Sequence, residues 1–453
     1  MKHIRILALI ALLGAAAVGL PSLRGATITV MNTNDNGSGS LRAAIDSAQD
    51  GDTISFDVSV TGTITLTSGE LLVNKSVTIS GPGANMLAVD ANHASRVLHI
   101  ASGKDVTISR LTVTNGLPPD YLGGGIYNDH ATLTVSSCII SGNSTINGIG
   151  GGIFNDQGTL TVSSSTLSGN SSWMGGGINN NWFGGGSATV TITNSTLSGN
   201  SGTYGGAIMN EDGTLTLSNS TVSGNSTPPG PYAGGGIYNG GFSGPATLAI
   251  NNSTLNGNSA PQGGGIVNDL GGTLTITNST LSGNSAGGYP IYIYNGLGGG
   301  IYNAQTLTII NSTLSGNSAD DHGGGIYLTS PVGNAILKIG DTILNAGSSG
   351  GNIYNDGAAA VTSLGYNLSS DNGGGYLTAT GDQINTDPML GPLQNNGGHT
   401  FTHLPASNSP AIDAGDPTLG MDQRGPGFVR VKNGRIDIGA VEAQATPPPH
   451  RHH

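Results

Sequence analysis

Short apolar and polar segments alternate along most of the chain, and the same order of segments recurs in successive units. The string Gly-Gly-Gly-Ile-Tyr-Asn, or a close variant, recurs every 25 to 35 residues. A string of the type Thr-Leu-Thr-Ile-Thr and one of the type Ser-Thr-Leu-Ser-Gly-Asn-Ser separate successive copies. The isoleucines of the first string are Ile126, Ile153, Ile178, Ile208, Ile237, Ile266, Ile301, Ile326 and Ile353. Each unit therefore predicts three short β-strands joined by turns of Gly, Asn and Ser.

Three strands per unit, without a helical period, are typical of one coil of a parallel β-helix. A single coil cannot bury its apolar face, whereas stacked coils create a continuous core. Apolar residues two positions apart would point inward and their Thr neighbours outward. The columns of the second and third strands are Leu133, Leu160, Val190, Leu215, Leu248, Leu274 and Leu307, and Ile140, Leu167, Leu197, Val222, Leu255, Leu281 and Leu314. We therefore expect an all-β solenoid with three strands per coil over residues 63–365.

An asparagine follows each repeat isoleucine by two positions in nearly every unit. Stacked at one corner, these side chains could bond the coils above and below, and Asn also tolerates turn geometry. The members are Asn128, Asn155, Asn180, Asn210, Asn239, Asn268, Asn303 and Asn355. The alternative is N-glycosylation, since Asn194-Ser195-Thr196 and several copies match the acceptor pattern. A structural ladder is favoured, because an acceptor must be exposed.

The two ends of the chain differ from the repeats. Residues 1–26 carry Lys2 and Arg5 before an apolar run, which indicates a secretory signal peptide; a buried helix is the alternative. Residues 27–62 predict an N-terminal cap with a short helix, in which Ser40 is the N-cap and Leu41 and Ile45 share the buried face. Residues 366–442 lose the repeat and predict an irregular C-terminal cap. Residues 443–453 predict a disordered tail.

Composition and charge narrow the classes of function. The chain has 78 Gly and one Cys, and 9% of its residues are charged, which excludes an ordinary helical protein and a disulfide scaffold. The net charge of −12 disfavours nucleic acid as a partner. We expect a secreted, extracellular or cell-surface monomer without an integral membrane segment in the mature chain. The expected partners are extracellular polysaccharide or cell-surface components.

Candidate catalytic and metal-binding residues are sparse. Residues 111–337 contain no Lys or Arg and eight acids, so this surface would repel a polyuronate, and a lyase is disfavoured. Asp320, Asp321 and His322 are the candidate catalytic residues, although a polar turn between strands is the favoured interpretation. Candidate metal ligands lie three residues after the repeat isoleucine, at Asp129, Asp156, Glu211, Asp269 and Asp356. Carboxylates that cap turns are the favoured interpretation, because Ca²⁺ needs six to eight oxygens and other residues interrupt the acidic column. The pattern requires no cofactor, and Ca²⁺ is left open.

Two regular surfaces are candidates for binding. Aromatic residues follow the repeat isoleucine and should point outward, where they would stack on sugar rings or simply on one another. They are Tyr127, Phe154, Tyr238, Tyr302, Tyr327 and Tyr354. The second strands offer an uncharged array of threonines, interrupted at Ala249 and Lys338, which would suit an ice surface. Strand propensity explains the same threonines.

Several motifs resemble known families. Leu167-Ser168-Gly169-Asn170 followed by Gly175-Gly176-Gly177-Ile178 resembles the paired repeat of polymorphic outer-membrane proteins. Residues 63–365 are similar to right-handed parallel β-helices of the pectate-lyase-like superfamily, and residues 27–56 to the N-terminal segment of secreted bacterial β-helix proteins. Residues 387–442 resemble the choice-of-anchor Q domain through Asp387-Pro388, Asn396-Gly397-Gly398, Ser409-Pro410-Ala411-Ile412-Asp413, Asp422-Gln423-Arg424-Gly425 and Asp437-Ile438-Gly439-Ala440-Val441-Glu442.

These resemblances imply an exported, surface-associated or secreted right-handed β-helix. Its expected role is adhesin-like or structural, without an evident catalytic site. The alternatives are a carbohydrate-binding or carbohydrate-active protein, of the polysaccharide hydrolase or lyase type, and an ice-binding protein. The triplet at Asp320 superficially resembles part of a polygalacturonase site, but the expected Gly-His-Gly and Arg-x-Lys companions are absent.

Overall fold

A computed structural model describes residues 25–443 except 182–187, 230–232, 242, 288–295, 331–332, 334, 358, 417–421 and 432–433. Residues 1–24 of the predicted signal peptide and residues 444–453 of the predicted tail lie outside this range. None of the helices in the described part of the chain has the length and apolar character needed to span a membrane.

The described chain forms three long parallel sheets, which we number in the order in which each repeat visits them. Sheet 1 contains eleven strands: Leu71–Val73, Leu98–Ile100, Ile126–Asp129, Ile153–Asp156, Ile178–Asn180, Ile208–Glu211, Ile237–Gly240, Ile266–Asn268, Ile301–Asn303, Ile326–Leu328 and Ile353–Asn355. Sheet 2 contains thirteen: Thr27–Val30, Thr53–Phe56, Thr78–Ser80, Asp105–Ser109, Thr132–Ser136, Thr159–Ser163, Thr189–Thr193, Thr214–Ser218, Ala246–Asn251, Gly272–Thr277, Thr306–Ile310, Ile336–Gly340 and Ala360–Gly365.

Sheet 3 contains twelve strands: Gly62–Thr65, Leu87–Asp90, Thr112–Thr114, Ile139–Ser141, Thr166–Ser168, Thr196–Ser198, Thr221–Ser223, Thr254–Asn256, Thr280–Ser282, Thr313–Ser315, Ile343–Asn345 and Leu368–Ser369. Short additional strands precede the glycines: Ser171–Met174 with Ser201–Tyr204, and Ser259–Ala260 with Ser285–Ala286 and Ser318–Ala319. Each sheet pairs strands from successive repeats. The predicted right-handed parallel β-helix is therefore confirmed.

The core lies inside the coils because strand residues alternate in direction. In sheet 2, Leu133 pairs with Leu160 and both are fully buried, whereas Thr132 pairs with Thr159 and both are exposed. The same alternation holds along sheets 1 and 3. One continuous apolar cluster runs from Val30 to Leu377. Stacking thus buries the face that one coil alone would leave in water.

Two asparagine ladders run through the interior. In the predicted one, each side chain from Asn128 to Asn268 donates Nδ2 to Oδ1 of the next coil's asparagine over 2.7–2.8 Å. A second ladder from Asn143 to Asn317 does the same over 2.8–3.0 Å. The sequon residue Asn194 belongs to neither, since it occupies a left-handed turn and is exposed. The ladder interpretation is confirmed from Asn128 to Asn303. It is wrong for Asn355, which pairs with Leu328 and donates to the carbonyl of Ala359 in its own coil.

The N-terminal helix closes the first coils as predicted. Helix α1, Leu41–Ser47, begins after Ser40, whose hydroxyl accepts the backbone N–H of Ala43 at 3.2 Å. Leu41 and Ile45 join the core cluster. The strands on either side of α1 already belong to sheet 2, so the coils begin before residue 63. The earlier start of the coils could not be predicted, because α1 lies between those strands and interrupts the sequence repeat.

The C-terminal region has two parts. A 3₁₀ turn at Gly373–Gly375 is followed by Leu377, which packs on the core at the last coil. The described residues between 400 and 443 then run back along the outer side of sheet 3. Thr254 donates its hydroxyl to the carbonyl of Phe401, and Thr280 donates to the side chain of Gln423, both at 2.6 Å. This segment therefore covers the flank of the solenoid as well as its end.

Candidate functional site

The outer surface of sheet 1 brings most of the predicted site residues together. Because the repeat isoleucine points inward, the residues one and three positions after it point outward. The first of these rows is largely aromatic, and the second is acidic or small. Parallel pairing places Tyr127 beside Phe154 and Asp129 beside Asp156. We call this surface the sheet 1 face.

The aromatic row is not continuously exposed, and the sugar-stacking expectation is wrong for two members. Phe154 is 1% exposed and Tyr238 is 5% exposed. The residues just before each glycine string fold over the middle of the row, and Ile149 and Met174 form an apolar cluster with these rings. The signal was present in the sequence as an apolar residue ahead of the glycines.

The C-terminal end of the row keeps its rings accessible. Tyr302 stacks on Tyr327 with ring centroids 5.4 Å apart, and Tyr327 stacks on Tyr354 at 5.6 Å. Tyr354 is 36% exposed. Burial, together with the nearby Asp356 carboxylate, raises the pKa of Tyr327 to about 12. We call Tyr302, Tyr327 and Tyr354 the tyrosine stack, and the raised pKa keeps the Tyr327 hydroxyl neutral at physiological pH.

The candidate catalytic residues lie next to the tyrosine stack. His322 Nε2 is 3.3 Å from a carboxylate oxygen of Asp321, and both side chains are about half exposed. The His322 ring stacks on Tyr354 with centroids 4.0 Å apart. Asp320 precedes them directly after the strand Ser318–Ala319, with its backbone N–H bonded to the carbonyl of Ala286. The structure thus forms a surface His–Asp pair beside aromatic rings, and the catalytic assignment stays a prediction.

Of the candidate metal ligands, Asp129 and Asp156 lie close together in the structure, whereas the others lie apart from one another. One ligand atom from each of Asp129, His130 and Asp156 lies within 4.8 Å of the others. Asp269 instead accepts the Tyr238 hydroxyl at 3.2 Å. Asp356 accepts the hydroxyl of Thr329. Within the described residues, Asp269 and Asp356 join no group of three metal-ligating side chains.

Glu211, the fifth acid of that row, occupies a different environment. Its side chain is fully buried, and neither carboxyl oxygen has a hydrogen-bond partner. Burial, followed by the charge of the adjacent Asp212, raises the pKa of Glu211 to about 7. The carboxyl group therefore changes charge near neutral pH inside the sheet 1 face.

A polar network around Arg96 lies at the N-terminal end of the sheet 1 face, and the sequence pattern did not predict it. Arg96 is 2% exposed and pairs with both Glu70 and Asp120. Its guanidinium also donates to the carbonyl of Leu122 at 2.9 Å. Glu70 in turn lies 3.2 Å from Nδ1 of His99. The partners of Arg96 lie one coil away and outside the regular repeat, so the sequence pattern does not reveal them. The only signal in the sequence was that cations are rare in this chain.

Hydrogen bonding and charge keep the Glu70 carboxylate ionised. Burial alone would raise the pKa of Glu70, but the hydrogen bond from His99 and the charge of Arg96 outweigh it and lower that pKa. The Arg96 guanidinium also lies 5.1 Å from the ring centre of Tyr127. Because every polar edge of this cation faces carboxylates or carbonyls, Arg96 serves to hold neighbouring coils together.

The outer face of sheet 2 carries the predicted threonine columns. Thr134, Thr161, Thr191 and Thr216 lie in register on successive strands, and Ala249 and Lys338 interrupt the same column. These side chains are partly exposed. Ice binding stays a prediction.

Comparisons with known proteins agree with this architecture. Residues 181–299 match the family model described as right-handed beta helix region, and residues 311–329 match the Chlamydia polymorphic membrane protein repeat. No curated protein sequence matches the chain.

One solved structure supports the same fold, and a second is less similar. Pectate lyase Pel9A is similar with a TM-score of 0.51 and 15% identity, over 92% of this chain and 96% of that one. An alginate lyase from Paenibacillus sp. str. FPU-7 has a TM-score of 0.36 and 15% identity, over 74% and 99% of the two chains. The described chain is thus a right-handed parallel β-helix whose fold is similar to that of pectate lyase Pel9A.

Proposed function

We propose that the protein is an exported β-helix, surface-associated or secreted, with an adhesin-like or structural role. The observation that supports this proposal most directly is that the buried cation of the sheet 1 face is fully occupied by structural contacts. Arg96, the buried cation of this face, is fixed by two carboxylates and backbone carbonyls. A base that abstracts a proton from a sugar must instead reach substrate.

The repeats support a scaffold role. The match to a polymorphic membrane protein repeat covers residues 311–329, and the three sheets present long regular surfaces. Such extended lateral surfaces are what solenoid proteins use for binding. The net charge of −12 favours neutral or cationic partners over polyanions.

Carbohydrate binding is the second candidate function, and the tyrosine stack favours it. Three parallel rings with Tyr354 partly exposed offer an apolar platform, and Asp321 lies beside them as a hydrogen-bond acceptor. Aromatic side chains with a polar tip commonly form binding surfaces. The lyase names belong to structures 15% identical or less and describe those proteins.

The test is a binding assay with matched variants. The purified chain is incubated with bacterial cells and with insoluble plant and bacterial polysaccharides, and bound protein is measured after sedimentation. Saturable binding to cells or to polysaccharide is expected. Loss of polysaccharide binding in Tyr327→Ala and Tyr354→Ala, with retention in Phe401→Ala, would assign it to the tyrosine stack; Phe401 is 53% exposed elsewhere. Absence of saturable binding to every surface, by folded protein, would refute the proposal.

A further inference from the structure

The side chains around Asp129 form a mixed group of carboxylates and imidazoles on three successive coils. Asp129 and Asp156 face each other across neighbouring strands of sheet 1. His130 follows Asp129 in a left-handed turn, and its Nδ1 lies 2.6 Å from an oxygen of Asp129. His99, one coil earlier, places Nε2 3.8 Å from the other oxygen of Asp129.

The hydrogen-bond partners of His99 fix the tautomer of its neutral ring. Its Nδ1 faces the Glu70 carboxylate, which only accepts hydrogen bonds, so Nδ1 carries a proton. In the neutral ring Nε2 then carries a lone pair. That atom is buried and has no hydrogen-bond partner. The structure therefore holds a basic nitrogen against a carboxylate at a distance too long for a hydrogen bond.

This arrangement matches the surroundings of a metal-bound histidine. Metal-ligating imidazoles usually donate their second N–H to a carboxylate, which fixes the tautomer and the ring orientation. Glu70 has that position toward His99, and Arg96 fixes Glu70 in turn. Tyr127 donates its hydroxyl to Asp156 at 3.0 Å and so orients the other carboxylate. The outer groups needed to orient ligands are thus already in place.

We propose that Asp129, His130 and Asp156 bind one divalent transition-metal ion of the zinc class. His99, which lies outside this group of three but 3.8 Å from Asp129, would move in as the fourth ligand. Imidazole nitrogens and carboxylate oxygens suit Zn²⁺, at about 2.0–2.2 Å from the ion. Calcium instead requires six to eight oxygen ligands and disfavours a site with two imidazoles. This inference is independent of the proposed binding role, because it concerns the opposite end of the sheet 1 face.

The ion would act as a clamp across coils. His99, Asp129 and Asp156 belong to three consecutive strands of sheet 1, at Leu98–Ile100, Ile126–Asp129 and Ile153–Asp156. Binding to the folded chain alone would stabilise these coils against unfolding.

The test is a metal titration of the full chain. His450, His452 and His453 are replaced by Ala in every protein, because the tail could bind metal by itself. Zn²⁺ binding is measured by calorimetry, Co²⁺ binding by visible absorption, and melting temperature with and without Zn²⁺.

We expect one equivalent of Zn²⁺ and a rise in melting temperature. His130→Ala and His99→Gln should each weaken binding at least about tenfold, and Glu70→Gln about 10- to 100-fold as an outer-shell partner. His322→Ala is the matched control, because this imidazole also lies beside an aspartate, and it should leave the affinity unchanged.

Three results would overturn the proposal. They are the absence of saturable Zn²⁺ binding, wild-type affinity in either His99→Gln or His130→Ala, and Ca²⁺ binding as tight as that of Zn²⁺. Circular dichroism of each metal-free variant checks that the fold is retained, and Asp156→Asn provides a second ligand substitution. In that variant the added Zn²⁺ should no longer raise the melting temperature.

Discussion

Replacing one asparagine of the second interior ladder should destabilise the solenoid strongly. Asn200 is fully buried, and its Oδ1 accepts from both the backbone N–H and Nδ2 of Asn170 at 3.0 Å. Its Nδ2 donates to the carbonyl of Leu167 and to Oδ1 of Asn225, also at 3.0 Å. Asn200→Ala removes all these bonds and leaves buried groups on both neighbouring coils without partners.

The expected loss of folding stability follows from the buried polar groups that Asn200→Ala leaves without hydrogen-bond partners. A buried donor or acceptor without a partner costs about 1–3 kcal/mol. Asn170 loses the acceptor of its backbone N–H, and Leu167 loses a donor to its carbonyl. The free energy of unfolding should therefore fall by about 2–6 kcal/mol.

The assay is urea unfolding followed by circular dichroism, with hydrogen exchange of the flanking coils. Asn74→Ala is the matched control, because Asn74 is exposed and bonds only to the Lys75 side chain. Such a surface substitution should change stability by no more than about 0.5 kcal/mol. Equal urea midpoints for Asn200→Ala and Asn74→Ala would refute the view that the ladder stabilises the coils.

Three further predictions concern other contacts. Because burial raises the pKa of Glu211 to about 7, stability should fall as pH rises from about 4.5 to 7, and Glu211→Gln should reduce the loss in melting temperature between pH 5 and pH 8. Gln423→Ala removes the hydrogen bond to the Thr254 hydroxyl at 2.9 Å, and limited proteolysis should then cut residues 400–443 sooner than in the unaltered chain. Gly236→Ala would place its Cβ 2.6 Å from the carbonyl oxygen of Gly265, so its melting temperature should fall measurably in a thermal scan.

The repeat architecture could be predicted because nearly every coil contains the same pattern of apolar, asparagine and glycine positions. Leu133 and Leu160 occupy equivalent positions in their units, and the structure pairs them directly. The buried asparagines from Asn128 onward followed from the same argument, since a polar residue at an inward position must bond its neighbours. Local pattern and tertiary environment agree wherever the repeat is regular.

The candidate site was harder to predict because its contacts cross coils at irregular offsets. Phe154 has the pattern of an outward residue, yet Ile149 of its own unit covers it. Arg96 pairs with groups 24 and 26 residues away, and that distance depends on the length of the intervening turns. The C-terminal segment has no period, so its packing on Thr254 could not be anticipated.

The most direct test of the central claim is whether the protein cleaves what it binds. Purified folded chain is incubated with plant and bacterial polysaccharides, including any that it retains in the sedimentation assay, and released reducing and unsaturated ends are measured over time. No product above the protein-free blank is expected. Release of ends from any of these polysaccharides would contradict the adhesin-like or structural role and direct attention to Asp321 and His322.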